Sequence, residues 1–315
     1  MTPEDPLRLT VPRELAGERF DRALALLIPA LTRSQLQKLV RRGRVKLDGK
    51  RVVRSNLVLQ GGEEVLVRFD RADVSTGGPL VVLHEDPERV VVDKAAGMVM
   101  HPTQRVAGGT VSELAVERYG YLPGDELRPG IVHRLDRATS GLCVLARTRE
   151  ALEHLRAQFR TRTIEKRYLA IVHGAPAAEE FAIDAPVGPA PGQLDLQRIE
   201  TEGRETRSRF RVLERFESFA LLACEPLTGR RHQLRVHLAS LGLPILGDRL
   251  YGTSWDAPFG AGRHALHAER LAFDHPRTGE RETWVCEPPI SFRDALATLR
   301  KASAPLPQLA PRPHG

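Results

Sequence analysis

HRLDRATSG, residues 133–141, decides how the larger part of this chain reads. It sets one carboxylate, Asp136, between Arg134 and Arg137 and follows it with Thr139-Ser140-Gly141. Small hydroxyl residues and glycine favour a turn over a continuing helix. Upstream lies Ile131-Val132 and downstream Leu142-Cys143-Val144-Leu145, short apolar runs that read as strands. Asp136 is therefore expected on a strand-end loop with rigid neighbours, a common setting for functional groups. A free aspartate has a pKa of about 3.9. Nearby cations favour the ionised form, which makes this acid a nucleophile or a base at neutral pH. The residue types alone favour a structural ion pair of Asp136 with Arg134 or Arg137 over a functional role.

Further strands are expected at Leu80–Leu83, Val90–Val92, Tyr168–Val172 and Phe219–Ala223, with helices over Ala151–Phe159 and Phe292–Leu299. Many strands with few helices point to the α+β class, a mixed, mainly antiparallel sheet spanning residues 80–300. DRADVSTGGP, residues 70–79, reads as a linker. Residues 301–315 read as a Pro-rich mobile tail.

The chain has 315 residues, 41% of them hydrophobic, and a formal net charge of +7. That length suits one large domain and a small one. The basic balance suggests an anionic partner, nucleic acid before membrane. No apolar run is long enough to span a bilayer, and the N-terminus has no secretory pattern. Three scattered cysteines, Cys143, Cys224 and Cys286, argue against disulfides or a zinc knuckle and fit a reducing cytoplasm. The sequence shows no phosphate-binding or dinucleotide-binding glycine motif and no H-E-x-x-H pattern, so no cofactor or metal is expected.

The charge is concentrated. Residues 18–69 hold twelve Lys/Arg against five acids, an excess equal to the net charge of the whole chain. Phe20, Leu24, Leu27 and Ile28 mark one face of a helix. Thr32 and Ser34 are candidate N-caps, and Leu36, Leu39 and Val40 mark a second short helix that Gly43 can end. Asp48-Gly49 is a strong hairpin signal between Val45-Leu47 and Val52-Val53, and Val65-Leu66-Val67 supplies a further strand. With residues 1–17 as an extension, 18–69 form a small α/β domain. This head resembles the S-four RNA-binding domain in Thr32-Arg33-Ser34, Leu39, Gly43, Val45 and Asp48-Gly49. The resemblance implies RNA held through phosphates and shape by Arg33, Lys38, Arg41, Arg42, Arg44, Lys46, Lys50 and Arg51.

HRLDRATSGLCVLAR (133–147) resembles the signature of the RluA-type pseudouridine synthases. DKAAGMVMHP (93–102), EKRYLAIVHG (165–174), LTGRRHQLRVHLASLGLPILGDRLYG (227–252) and RHALHAERLAF (263–273) are similar to the family's other blocks, in order. Ala95 stands where the family usually has proline, and Arg147 where it commonly has lysine. The resemblance implies conversion of RNA uridine to pseudouridine: the base leaves ribose, turns and is rejoined through carbon, without a cofactor. It makes Asp136 the catalytic carboxylate, attacking the anomeric carbon or acting as base on the neighbouring ribose proton. It places Tyr168 beside the target base and pairs Arg235 with Asp136, with Arg230 as the second choice or a phosphate contact. Leu266 would pack against Tyr168. Arg134 and His101 would hold a flipped nucleotide or fill its gap. The head and length resemble members acting on large-subunit ribosomal RNA; transfer RNA is the alternative substrate, and a non-catalytic ribosome-assembly protein the alternative class. A monomer is expected.

Overall fold

The computed structural model describes residues 7–28, 36–37, 39–40, 43–52, 54, 56–68, 78–103, 106, 108–193, 195–252 and 263–302. Two compact units emerge, one of residues 1–80 with 98–131 and one of 81–97 with 132–315. Within the first lie strands β1 (Leu7–Thr10), β2 (Val45–Leu47), β3 (Lys50–Arg51) and β4 (Glu64–Val67), helix α1 (Phe20–Leu27) and, further on, helix α2 (Val111–Tyr119). The four strands are ordered β1-β4-β2-β3. Residues 7–10, counted above with the extension, thus pair with β4. Phe20, Leu24, Leu36, Val40, Val45, Val65 and Val67 are buried together, so the helical and strand periodicities converge on one small core.

Asp48 and Gly49 both adopt positive φ, at 47° and 75°, the conformation a two-residue hairpin turn requires. That register sets Lys46 opposite Arg51 and Leu47 opposite Lys50. Like charges face to face on a hairpin cost a few tenths of a kcal/mol to about 1 kcal/mol unless an anion lies between them. Thr32, Ser34, Arg33, Lys38, Arg41, Arg42 and Val53, most of linker 70–79 and tail residues 303–315 lie outside the described residues.

The second unit is built on a mixed sheet. Its strands are β5 (Val81–Glu85), β6 (Arg89–Lys94), β7 (Ser140–Ala146), β8 (Glu165–His173), β9 (Glu180–Asp184), β12 (Arg207–Arg215), β13 (Phe219–Pro226), β14 (Leu266–Asp274) and β15 (Arg281–Val285). A separate hairpin joins β10 (Val187–Pro189) to β11 (Gln197–Ile199). The sheet order is β5-β6-β7-β14-β8-β13-β12-β9, with β15 also on β14. The β7–β14 pairing is parallel and the other pairings of this sheet are antiparallel, in keeping with the expected α+β class. Ile131-Val132 does not form a strand; residues 132–133 bend into the loop of Asp136.

Helix α3 (Arg149–Thr161) is capped by the Thr148 hydroxyl, which accepts from the Ala151 amide at 3.2 Å. Its Leu152 and Leu155 pack on Val91, Val144 and Phe273. Burying each such leucine is worth about 1.5–3 kcal/mol. Helices α4 (Gln233–Ser240) and α5 (Ile290–Ala302) pack through Leu234, Leu238, Phe292 and Ala295 against Ile171, Phe210 and Leu222. Among the described residues no helix is long and apolar enough to cross a membrane.

Candidate active site

The Thr-Ser-Gly triplet is fastened to the segment that leads into and forms β14. The Thr139 hydroxyl lies 2.9 Å from His264 Nε2, and the Ser140 hydroxyl 3.0 Å from His267 Nδ1. Gly141 runs against Ala268 with φ of 110°; a Cβ there would sit 2.3 Å from the Ala268 carbonyl oxygen, so only glycine fits. The Thr139 amide donates to the Asp136 carbonyl at 3.1 Å, closing the turn. From the other side the Gly97 amide donates to the Arg137 carbonyl at 2.8 Å, and the buried Lys94 ammonium donates to the same oxygen at 3.3 Å. Asp136 is thus held by main-chain anchors on both flanks.

Its carboxylate meets Arg235, the third residue of α4. Arg235 Nη1 donates to Asp136 Oδ2 at 3.2 Å. The same guanidinium is gripped by a second carboxylate: Nε and Nη2 donate to Asp248 Oδ2 and Oδ1 at 2.7 and 2.8 Å. The side chains of Asp136, Arg235 and Asp248 are 17%, 7% and 0% exposed. Asp248 also accepts from the Leu250 and Tyr251 amides. Burial alone pushes the Asp136 carboxyl up, but His232, Arg235 and His264 and the Arg235 hydrogen bond more than offset it, so its pKa lies below the ordinary range. Burial drives His232 and His264 down to about 4. Both are uncharged at neutral pH, which leaves Arg235 as the permanent cation beside Asp136.

Asp136 opens onto a cavity of about 410 Å³. Tyr168, Arg134, Arg230, Arg235 and Leu266 share its lining with Asp136. Tyr168 stands on β8 opposite Ala268, and Leu266 stands opposite Ala170, so Leu266 is the diagonal same-face neighbour of Tyr168. Burial, with Asp136 adding to it, raises the Tyr168 hydroxyl pKa, so the ring stays neutral. Asp136 is the sole carboxylate among the described lining residues, against Arg134, Arg160, Arg162, Lys166, Arg230, Arg231 and Arg235. Among the described residues, the side chains of Arg134, Arg160, Arg162 and Arg230 have no ion pair or hydrogen bond. Burial lowers Lys166 to about 8; its ammonium donates to the Thr228 carbonyl. His101 belongs to the other unit, where its Nδ1 lies 3.0 Å from the Pro102 carbonyl.

Residues 88–240 match the family model described as RNA pseudouridylate synthase, and residues 18–65 that of the S4 domain. A ribosomal large subunit pseudouridine synthase D of Nitrosomonas europaea is 38% identical, over 96% of this chain and 90% of its own length. This chain belongs to the RNA pseudouridylate synthase family. An uncharacterized RNA pseudouridine synthase of Synechocystis is 35% identical, over 90% of each chain. Among solved structures, human RNA Pseudouridylate Synthase Domain Containing 1 matches with a TM-score of 0.56 at 25% identity, covering 71% of this chain and 94% of that one.

The chain is therefore a pseudouridine synthase, an isomerase acting on RNA, with an S4 domain at its head. Sequence reasoning gave no role at the carboxylate to three residues that the structure places around the Asp136–Arg235 pair: Asp248, His232 and Tyr251. All three fall inside the block 227–252 quoted above. Their signal was the presence of an acid, a histidine and a tyrosine in a stretch already marked as basic. What was not visible is that the turn after Gly247 returns to α4 and meets Arg235.

Proposed function

We propose that this synthase isomerises uridine in large-subunit ribosomal RNA, with Asp136 as its catalytic carboxylate. The observation that carries the reading is the lone carboxylate in a cation-lined cavity, kept ionised by a buried arginine. An ionised, partly desolvated carboxylate is suited to attack the anomeric carbon of ribose or to remove the neighbouring ribose proton. The neutral Tyr168 ring, backed by Leu266, offers an apolar wall on which an extruded base stacks. Arg134, Arg160, Arg162 and Arg230 supply unpaired positive charge for the flanking phosphates. Head residues Arg44, Lys46, Lys50 and Arg51, together with Arg33, Lys38, Arg41 and Arg42, add a second set of phosphate contacts. His101 is assigned to the nucleotide only through the family resemblance. The choice of ribosomal RNA follows the names of the relatives that match along nearly the whole chain. A monomer and a cytoplasmic location complete the reading, the second in keeping with three buried free cysteines.

The test is tritium release from large-subunit ribosomal RNA labelled at carbon 5 of uridine, compared with transfer RNA. Asp136→Asn keeps the size of the side chain and removes the charge. Turnover is expected to fall by about 10⁴ or more, with RNA affinity within a few-fold of wild type. Sustained turnover by the Asn variant would remove Asp136 from the mechanism, and release from transfer RNA alone would reassign the substrate.

A further inference from the structure

His232 precedes α4 in the left-handed region, at φ 56° and ψ 15°. A non-glycine residue there is strained, at a cost on the order of 1 kcal/mol or more. Its side chain is buried between two partners. Nδ1 lies 2.7 Å from the Tyr251 hydroxyl, and Nε2 lies 3.8 Å from Asp136 Oδ2. The Tyr251 oxygen already accepts a fixed donor, the Gln197 amide, at 2.9 Å. Its own proton must then find an acceptor, and His232 Nδ1 is the one within reach. With Nδ1 accepting, a neutral imidazole carries its proton on Nε2, the nitrogen turned toward Asp136. The other neutral tautomer fails at both ends. It would leave the phenolic proton without an acceptor and set a nitrogen lone pair against a carboxylate oxygen.

The surroundings agree with an uncharged ring. His232 meets Asp136, Arg235, Arg231, Asp248 and Tyr251; burial outweighs the two acids, and its pKa falls to about 4. Asp136 in turn meets Arg235, His232 and His264, with Lys94 and Tyr168 within electrostatic reach. Arg235 donates a hydrogen bond to Oδ2 at 3.2 Å, and His232 Nε2 faces the same oxygen at 3.8 Å, an electrostatic contact beyond hydrogen-bond length. Among the described residues, Oδ1 of Asp136 accepts no hydrogen bond. A carboxylate whose one oxygen faces two donors keeps its more basic lone pairs on the other.

We propose that His232 is a positioning residue, locked by Tyr251 as the Nε2–H tautomer, that works with Arg235 to occupy Oδ2 of Asp136 and leave Oδ1 as the oxygen that reacts. The turn at residues 247–251 therefore serves the carboxylate twice: Asp248 fixes the arginine, and Tyr251 fixes the histidine. The inference rests on the reading of Asp136 as the catalytic carboxylate, but its first measurement does not.

The test is nitrogen-15 NMR of the histidine rings in the full chain, with His232 assigned by its loss in His232→Gln. Wild type is expected to show Nε2 protonated and Nδ1 bare across neutral pH. Tyr251→Phe keeps the ring that packs on the Arg235 guanidinium, 4.9 Å from the ring centre, and removes only the hydroxyl. It is expected to give a mixture of tautomers, roughly tenfold slower turnover at unchanged KM, and an acid limb moved up by roughly half a pH unit. The sign follows from turning the Nε2–H dipole away from the carboxylate it faces, which makes Asp136 easier to protonate. His232→Gln, which offers an amide N–H, is expected to recover more turnover than His232→Ala. A wild-type Nδ1–H tautomer overturns the proposal, whether or not Tyr251→Phe folds; so does Tyr251→Phe with wild-type turnover. Retained activity in Asp136→Asn, with the Nε2–H signal intact, would instead sink the catalytic role of Asp136.

Discussion

Among the described residues of the sheet-based unit two arginines are buried, each between two carboxylates. Arg235 holds Asp248 through two hydrogen bonds and Asp136 through one. Arg89 holds Glu282 through Nε and Nη2, at 3.0 and 2.6 Å, and has Asp86 3.0 Å from Nη1. By charge and burial the two triads are alike. Their surroundings differ. Arg89 is walled by the Phe273 and Trp284 rings, and its carboxylates are 20% and 24% exposed, so solvent relieves them. Arg235 has one carboxylate sealed from water and one that opens on a cavity with no other acid in its described lining. A buried arginine triad is thus no sign of chemistry by itself. The sign is an acid that one partner leaves partly unengaged, facing a cavity.

The comparison can be broken by mutating each arginine in turn. Arg235→Ala leaves Asp248 buried and unpaired, a loss of roughly 3–5 kcal/mol in stability. It also frees Asp136, and turnover in the tritium assay is expected to fall about 10²–10³-fold. Arg89→Met leaves carboxylates that reach water, so about 1–3 kcal/mol should be lost. That lowers the melting temperature by several degrees, with turnover at 25 °C within twofold of wild type. Equal losses of activity in the two variants would make the contrast meaningless. The smallest effect concerns cations that have no carboxylate partner among the described residues. Replacing Lys46, Lys50 and Arg51 by alanine removes three charges from the head. The plot of log affinity for single-stranded RNA against log salt should then flatten by about two units. An unchanged slope would assign the salt dependence to the cavity's arginines alone.

Those cations also show what the sequence hides. The chain outside residues 18–69 sums to zero charge, yet Arg134, Arg160, Arg162 and Arg230, without ion-pair partners among the described residues, gather at one cavity. Elsewhere arginines such as Arg167, Arg207 and Arg300 are neutralised by Glu269, Asp184 and Glu214. A sum cannot report that separation. Local order was legible where one face of an element is buried: α1, α3 and the β2–β3 hairpin follow their periodicity and turn residues. Helix α4 was not, because Gln233 to Leu238 are all buried and no polar stripe marks a helical period. Asp136, Tyr168, Arg235, Arg134, Arg230 and Leu266, which lie far apart in the chain, line one cavity. The Asp248 grip and the Tyr251–His232 contact needed the tertiary turn that no spacing encodes.

The enclosure of α4 has a consequence for when the enzyme is an enzyme. A helix buried on every side exchanges its amide hydrogens only through openings that approach global unfolding. The cation that ionises Asp136 is therefore in place only in the completely folded molecule. The head carries its own hydrophobic core and its own cations. On the proposed role of the head, holding RNA draws on that core, whereas isomerisation draws on the buried arginine, so opening of α4 is expected to abolish the second before the first.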